Sequence, residues 1–449
     1  MPNKLVSIHY RLVSLRWMTL LLLIPFHISI NTNAQTISLD QCLATAQEHN
    51  RSLALAMQDI ELSTEKRKEV QGNLLPKISA SADYRYYTDL PYQLMPASVF
   101  GGPEGTYKEV QFGVPQSLAA NLQLQWPVFN PAILGAMHTS RIASEISELQ
   151  RVRTKEELVV DVSQAYYNAQ ILKSQIIFLD SNVINMEKLM KTTALLYEQQ
   201  VVKATDVDRI QLQLDQLISN RTTLQAQYRQ VTNVLEFLMG IPFSNKLEVE
   251  QVIPLQMVNE YQPVQTTELK LMEKKLQLTQ SQLQGAKLNR LPSLSAYALY
   301  GTTGMGTTGD NSFFNFYPIG SVGVKLSVPL FSGTVTQHKI NQQKIELNKS
   351  TLQQEIVIDK NRMEIENARK QYRAAKDFAI TTLSQIKLAN NIYSQTVLQN
   401  QLGVASLTDV LIANNSVRDA QQQYSSALIN LFRAELEIKR VTGNLTNSY

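Results

Sequence analysis

One helical pattern occurs twice in this chain, and the repeat restricts the possible architectures more than any other feature. Thr205-Asp206-Val207 opens a stretch that runs to Gly240, and Thr408-Asp409-Val410 opens another that runs to Gly443, 203 positions later at both ends. The first stretch has apolar or aromatic residues at Val207, Ile210, Leu214, Leu217, Leu224, Tyr228, Val231, Leu235 and Leu238, with Arg221 as the interruption. The second has Val410, Ala413, Val417, Ala420, Tyr424, Ala427, Leu431, Ala434, Ile438 and Val441, each 203 after its counterpart. An unbroken alternation of three and four is the seam of a coiled coil. Gln, Asn, Ser, Arg and Asp fill the positions between, which suits a helix wetted over much of its circumference. Ten positions in register read as an internal duplication, and a repeat sets the architecture before other signals are weighed.

The repeat extends beyond the long helices. A helical period runs from Asp40 to Asn73, with Ser38 or Asp40 placed to cap it, and stops at Leu75-Pro76. The period then changes to two: Ile78, Ala80, Ala82, Tyr84 and Tyr86 alternate with Lys77, Ser79, Ser81, Asp83 and Arg85. In the second half Leu291-Pro292 precedes Leu294, Ala296, Ala298 and Tyr300, 216 positions on. A second strand in each half ends at Trp126-Pro127-Val128-Phe129 and at Val328-Pro329-Leu330-Phe331. Loops from about Pro91 to Ser117 and from Gly301 to Pro318 are expected between the paired strands.

Helix lengths define the layout. The stretch from Pro131 to about Lys203 has room for roughly 105 Å of helix at 1.5 Å per residue. The return helix from Asp206 to Gly240 covers half of that, and a helix from Glu268 to Arg290 supplies another half beyond a loop containing Pro242, Pro254 and Pro263. In the second half the long helix is Val335 to Leu402, the return helix Thr408 to Gly443, and the expected upper partner the helix Asp40 to Asn73. The parts are therefore a leader, residues 1–34; a first repeat, 35–240; a linker, 241–263; and a second repeat, 264–449.

Basic residues followed by an apolar run from Met18 to Ile30 and by Thr32-Asn33-Ala34 read as a secretory signal, with a mature start at Gln35 outside the cytoplasm. Cys42 is the only cysteine, so no intramolecular disulfide forms. The formal charge of +4 falls to +1 once Lys4, Arg11 and Arg16 leave with the leader, and no basic stripe for nucleic acid remains. Past the leader no apolar window is long enough for a spanning helix, so strands must provide any membrane placement.

Two-faced strands occur in soluble sandwiches and in outer-membrane barrels alike, and the period does not separate them. Four strands cannot close a barrel, so insertion in lipid requires several chains to pool their strands. Tyr84, Tyr86, Tyr87, Trp126, Phe313, Phe314, Phe316 and Tyr317 suit either an aromatic girdle at the headgroups or a core.

No catalytic set is legible. His49, His138 and His338 lack metal-ligand spacing, and no phosphate loop or nucleophile elbow occurs. What remains are acids at the helical turns, Asp206 and Asp208 at one and Asp409 at the other. Thr205 with Asp208 has the spacing of a capping box, and an acid at a helix start complements the macrodipole. The same acids, repeated around an opening, form a ring of carboxylates facing passing solute. Both readings can hold.

Strand pairs set between long helices, duplicated and placed behind a leader, resemble the TolC family of outer-membrane efflux channels. The residues that carry the resemblance are Leu75-Pro76, Leu291-Pro292, Val328-Pro329-Leu330-Phe331 and the run from Gly403 to Leu411. It implies a mixed α and β membrane protein: a trimeric, twelve-stranded outer-membrane β-barrel, four strands per chain, continued by a long periplasmic α-helical coiled-coil barrel with an internal two-fold repeat. It implies a passive exit duct for efflux or type I secretion, without cofactor or enzymatic activity, opened at its periplasmic tip by an adaptor and an inner-membrane pump. The partners implied are two further copies of the chain, the adaptor, the pump and outer-membrane lipid. The linker and the C-terminus would form a belt at mid-height. The resemblance makes Asp206, Asp208 and Asp409 the aperture, and Gln200, Val201, Lys203, Gly403, Val404, Ala405, Ser406 and Leu407 the adaptor-docking tip. Gln200 stands where the family has a tip glycine, so a different first turn is expected. Ile412 replaces a second acid, and Asn400 and Ala405 replace residues that help lock some members shut. A periplasmic adaptor or scaffold also uses long hairpins, but it would carry one hairpin and small β domains; a surface coiled coil would have no use for paired strands.

Overall fold

A computed structural model describes residues 36–243, 247–251, 261–307 and 315–445. The leader, Pro254, Phe313 and Phe314 lie outside them. In chain order the elements are β1 (Thr36–Ile37), α1 (Leu39–His49), α2 (Arg51–Gly72), β2 (Lys77–Tyr86), β3 (Tyr92–Pro96), β4 (Tyr107–Gln111), β5 (Gln116–Phe129), α3 (Pro131–Glu198) and α4 (Ala204–Met239). Then follow β6 (Glu248–Val249), α5 (Thr267–Leu288), β7 (Ser293–Gly306), β8 (Phe316–Ser327), α6 (Val335–Gln401) and α7 (Leu407–Val441).

Two long helices carry the structure. α3 has 68 residues and α6 has 67, each about 100 Å at 1.5 Å per residue. Near the strands α2 and α5 flank α3, and α5 also flanks α6; at the other end α4 and α7 flank α3, and α7 flanks α6. The order is thus α2-α3-α5-α6 at one height and α4-α3-α7-α6 at the other. This corrects one expectation. The N-terminal helix packs along α3, and the upper partner of α6 within the chain is α5, so one side of α2 and one side of α6 are left as open edges.

The expected single helix from Asp40 to Asn73 is two. Ser38 caps α1 in a box with Gln41. At Asn50 the backbone turns extended, its Oδ1 accepts from the N–H groups of Ser52 and Leu53, and its Nδ2 donates to the Leu238 carbonyl. Gly240 explains the repeated terminal glycine. It ends α4 at φ 70°, and a Cβ there would collide with the His49 carbonyl. At the second repeat Gly443 has φ 73° and lies close against the Val264 carbonyl.

The seams are buried as their period requires. Ile210, Leu217 and Leu235 are fully covered, and nine of the ten second-copy positions are buried, with Tyr424 half-buried. Arg221 enters the first seam by pairing with Asp180 at 3.5 Å. At mid-height the linker is strapped to the helices: β1 pairs with β6, Lys173 Nζ holds Glu248 at 2.8 Å and the Val249 carbonyl at 2.9 Å, and Val264 N–H donates to the Thr442 carbonyl.

Four of the strands form one antiparallel sheet in the order β2-β5-β7-β8. Its register places Ile78 beside Leu124, Leu122 beside Tyr300, Ala298 beside Val322 and Leu294 beside Leu326. One face is therefore continuously apolar. On the other, Ser79 meets Gln123, Ser81 meets Asn121 and Ser295 meets Lys325. Two strands are longer than their alternation shows. β7 continues through Gly301–Gly306 because β5 pairs with it, although Gly and Thr dominate that run. The expected loop 91–117 contains the β3–β4 ribbon and the start of β5. At the helix end of the sheet Trp126 Nε1 donates to the Leu74 carbonyl at 3.1 Å, while Tyr84, Tyr86, Phe316 and Tyr317 lie toward the far end.

Candidate functional site

The two turns that join α3 to α4 and α6 to α7 lie together at the end of the helices remote from the sheet. Leu407 and Leu411 of the second turn pack into a cluster with Leu179, Met186, Ile210 and Leu217 of the first hairpin.

Both turns have the same backbone. Gln200 has φ 59° and Gly403 has φ 74°. The Gln200 N–H donates to the Tyr197 carbonyl and Val201 N–H to Leu196; Gly403 N–H donates to Asn400 and Val404 N–H to Gln399. The expected difference at the first turn is absent, because the hydrogen bonds that close the helix outweigh the steric penalty of a left-handed Gln.

The caps also differ from expectation. Thr205 and Asp208 do not form the box; α4 begins at Ala204, and the Asp206 carboxylate accepts from the Lys203 N–H at 3.4 Å. In the second turn Ser406 is the cap: its Oγ accepts from the Asp409 N–H at 3.2 Å, and Asp409 Oδ2 accepts from the Ser406 N–H at 2.9 Å and Oγ at 2.7 Å. The Ser406 hydroxyl, then its backbone N–H, hold the Asp409 carboxyl below the usual aspartate range. Asp206 also meets Arg209 at 3.7 Å, and Asp208 is exposed.

Among the docking candidates, Gln200, Val201, Lys203, Gly403, Val404 and Ser406 are exposed, Val404 to 77%. Ala405 and Leu407 are half-buried, and Leu407 braces the turn from within. Asn400 ties its own turn: Nδ2 donates to the Ala405 carbonyl at 2.9 Å.

Sequence reasoning did not find the contact between the two hairpins. Near mid-height α3 meets α7 through Tyr167 and Phe432, stacked at 4.1 Å and 4°, beside Ile171 and Leu428. Between that stack and the apolar cluster of Leu407 and Leu411 at the turns, the same contact is polar. Asn182 Nδ2 donates to Gln421 Oε1 at 3.0 Å, a cavity of about 270 Å³ is lined by Gln175, Asn220, Gln227 and Arg418, and the buried Asn414 Nδ2 has no hydrogen-bond partner. Among the described residues no helix is long and apolar enough to cross a membrane, and no cluster of His, Cys, Asp or Glu could hold a metal.

A sheet apolar on one face, set on paired helices of about 100 Å with turns at the far end, is the architecture of an outer-membrane channel subunit. The family model described as "Outer membrane efflux protein" matches residues 42–241 and 264–444, and the chain belongs to that family. It is 21% identical over 441 residues to the outer membrane protein TolC of Escherichia coli K12, covering 92% of this chain and 83% of that protein. It is 23% identical to the alkaline protease secretion protein AprF of Pseudomonas aeruginosa over 89% of this chain and 83% of that one. Among solved structures, CusC superposes with a TM-score of 0.75 at 15% identity, covering 90% and 92% of the two chains. The open-state MtrE channel of Neisseria gonorrhoeae gives 0.71 at 15%, covering 91% and 89%. Membership of that family places the chain in the outer membrane and sets aside the scaffold alternative.

Proposed function

We propose that three copies of this chain form a passive duct, a twelve-stranded barrel in the outer membrane continued by twelve helical passes through the periplasm. The observation that carries this reading is the open sheet with one apolar and one polar face. Its edge strands β2 and β8 have unpaired backbone groups, which lipid does not tolerate. The helices leave matching edges, α2 and α6 above and α4 and α6 below. A further copy placed against each edge satisfies strands and helices together. Twelve axes spaced about 9–10 Å apart give a ring roughly 36 Å across, wide enough for a water-filled bore.

In this duct the two turns are the periplasmic aperture. Asp206, Asp208 and Asp409 present carboxylates there, and the exposed apolar Val201 and Val404, with Gln200, Lys203, Gly403 and Ser406, offer an adaptor its contact. The chain supplies no energy; an inner-membrane pump and the adaptor do, by binding the open aperture more tightly than the closed one. The polar, imperfectly satisfied stretch of the α3–α7 contact leaves only the Leu407 and Leu411 cluster to be parted at the aperture, while Tyr167 and Phe432 hold the hairpins at mid-height. The protein is a conduit and not an enzyme. Purified mature protein in planar bilayers should give discrete conductance steps sensitive to cations on the aperture side. Trimeric material that never conducts would overturn the duct reading.

A further inference from the structure

The connection between β2 and β5 is more than a loop. β3 and β4 form a two-stranded ribbon with Tyr92 beside Gln111, Leu94 beside Glu109 and Pro96 beside Tyr107, closed by a 3-10 turn at Ala97–Phe100. Tyr87 N–H donates to the Pro115 carbonyl and Phe112 N–H to the Pro91 carbonyl, so the ribbon prolongs the β2–β5 hairpin past the end of the sheet. Tyr92, Leu94 and Tyr107 share one face with Pro96, Glu109 and Gln111, and are 67%, 68% and 69% exposed, so the apolar part of that face is the β3 row and the end of β4. Val99 and Phe100 are exposed at its turn. Among the described residues, no strand or helix outside the ribbon packs substantially against it.

A lone two-stranded hairpin is marginal in water and needs a further layer, here over the Tyr92, Leu94 and Tyr107 side chains, with Glu109 and Gln111 left at the wet margin of the contact. Lipid is poorly placed to supply it. β5 has 14 residues, roughly 48 Å of strand, and at a tilt of about 40° it rises about 36 Å, already more than the ~30 Å hydrocarbon core. The ribbon begins beyond that height. The apolar surfaces that the fold itself fixes there are the same ribbons of the other copies. Because β2 is an edge strand, each ribbon springs from the boundary with a neighbour. Twelve strands about 4.8 Å apart at that tilt enclose a mouth of radius about 12 Å, and five residue pairs reach about 17 Å, enough to meet at the axis.

We propose that the three ribbons pack against one another over the outer mouth of the barrel, with Tyr92, Leu94 and Tyr107 in contact across the three-fold axis, as an aromatic lid. This rests on the trimeric duct reading. It adds a second barrier to that duct, at the end opposite the acidic aperture.

The test is Leu94→Cys in the full-length protein, oxidised with copper phenanthroline in intact cells; Cys42 is buried and remains as it is. A disulfide-linked dimer, sensitive to reductant and absent for wild type, is expected. Separately, Ser81→Cys on the polar, lumen-side face should react with an externally added ~5-kDa polyethylene glycol maleimide at least about five-fold faster when residues 92–111 are replaced by Gly-Gly. Amine cross-linking of the same membranes reports the trimer independently. A trimer with neither Leu94→Cys dimer nor changed Ser81→Cys labelling overturns the lid and leaves the duct standing; loss of the trimer itself overturns both. A fluorophore on Leu94→Cys that is quenched by spin-labelled lipid would assign the ribbon to the leaflet and overturn the lid.

Discussion

Gln200 and Gly403 hold the same left-handed backbone position, at φ 59° and 74°, one in each of the two turns that end the helical hairpins. Gly takes that conformation without penalty, whereas a residue with a Cβ takes it at about 1 kcal/mol or more. Gln200→Gly should therefore slow hydrogen exchange at Val201, whose N–H closes the turn, about five-fold. Gly403→Gln should speed exchange at Val404 by a similar factor. Unchanged exchange in both would mean that the turns are held from outside the chain.

Asn400 is a second tie, present only in the α6–α7 turn. Asn400→Ala removes the bond to the Ala405 carbonyl and should cost about 1 kcal/mol locally. Faster exchange of the Ala405 and Ser406 amides, with the global unfolding transition unmoved, is the expected result.

At Asp409 capping and charge can be separated. Its folded pKa lies below its unfolded one, so its contribution to the cap is complete above the ordinary aspartate range and is lost as pH falls through the depressed value, below roughly pH 4. Asp409→Asn keeps an acceptor for the Ser406 N–H but removes the charge, and should weaken cation block in a bilayer recording while leaving the turn ordered. Asp409→Ala should lose both. Cation block equal to wild type in both variants would remove Asp409 from the aperture.

Phe432 anchors the contact between the hairpins. Phe432→Ala removes the stack on Tyr167 and should destabilise that contact by about 3–5 kcal/mol. If the aperture opens by parting α7 from α3, the variant should conduct more than wild type at neutral pH. Lower or equal conductance from folded trimers would contradict that motion.

Much of this was legible in the sequence, because long periodic segments leave a pattern that tertiary contacts do not need to correct. The seams at Ile210 to Leu235 and Val410 to Val441, and the stops at Leu75-Pro76 and Leu291-Pro292, belong to that class. What escaped depended on distant partners. Asn50 breaks the first helix through a bond to Leu238, far along the chain, while the apolar period continues past it. Gly301–Gly306 becomes strand because β5 pairs with it, against its own composition. The ribbon's alternation, Tyr92-Gln93-Leu94-Met95, is too short and too close to prolines to stand out. At the turns, the acids were visible, but the caps were displaced: Ser406, three before Asp409, was the signal to follow, and Lys203 holds that place in the first copy. The Tyr167–Phe432 stack had no local signal at all.

The central claim is that three chains pool their strands into one barrel and their helices into one tube. Electron-microscope images of the detergent-solubilised mature protein test it most directly. The account predicts threefold particles with a central bore, roughly 130–140 Å long from about 100 Å of helix and a barrel crossing about 30 Å of hydrocarbon. Monomers, or rods without a bore, would contradict it.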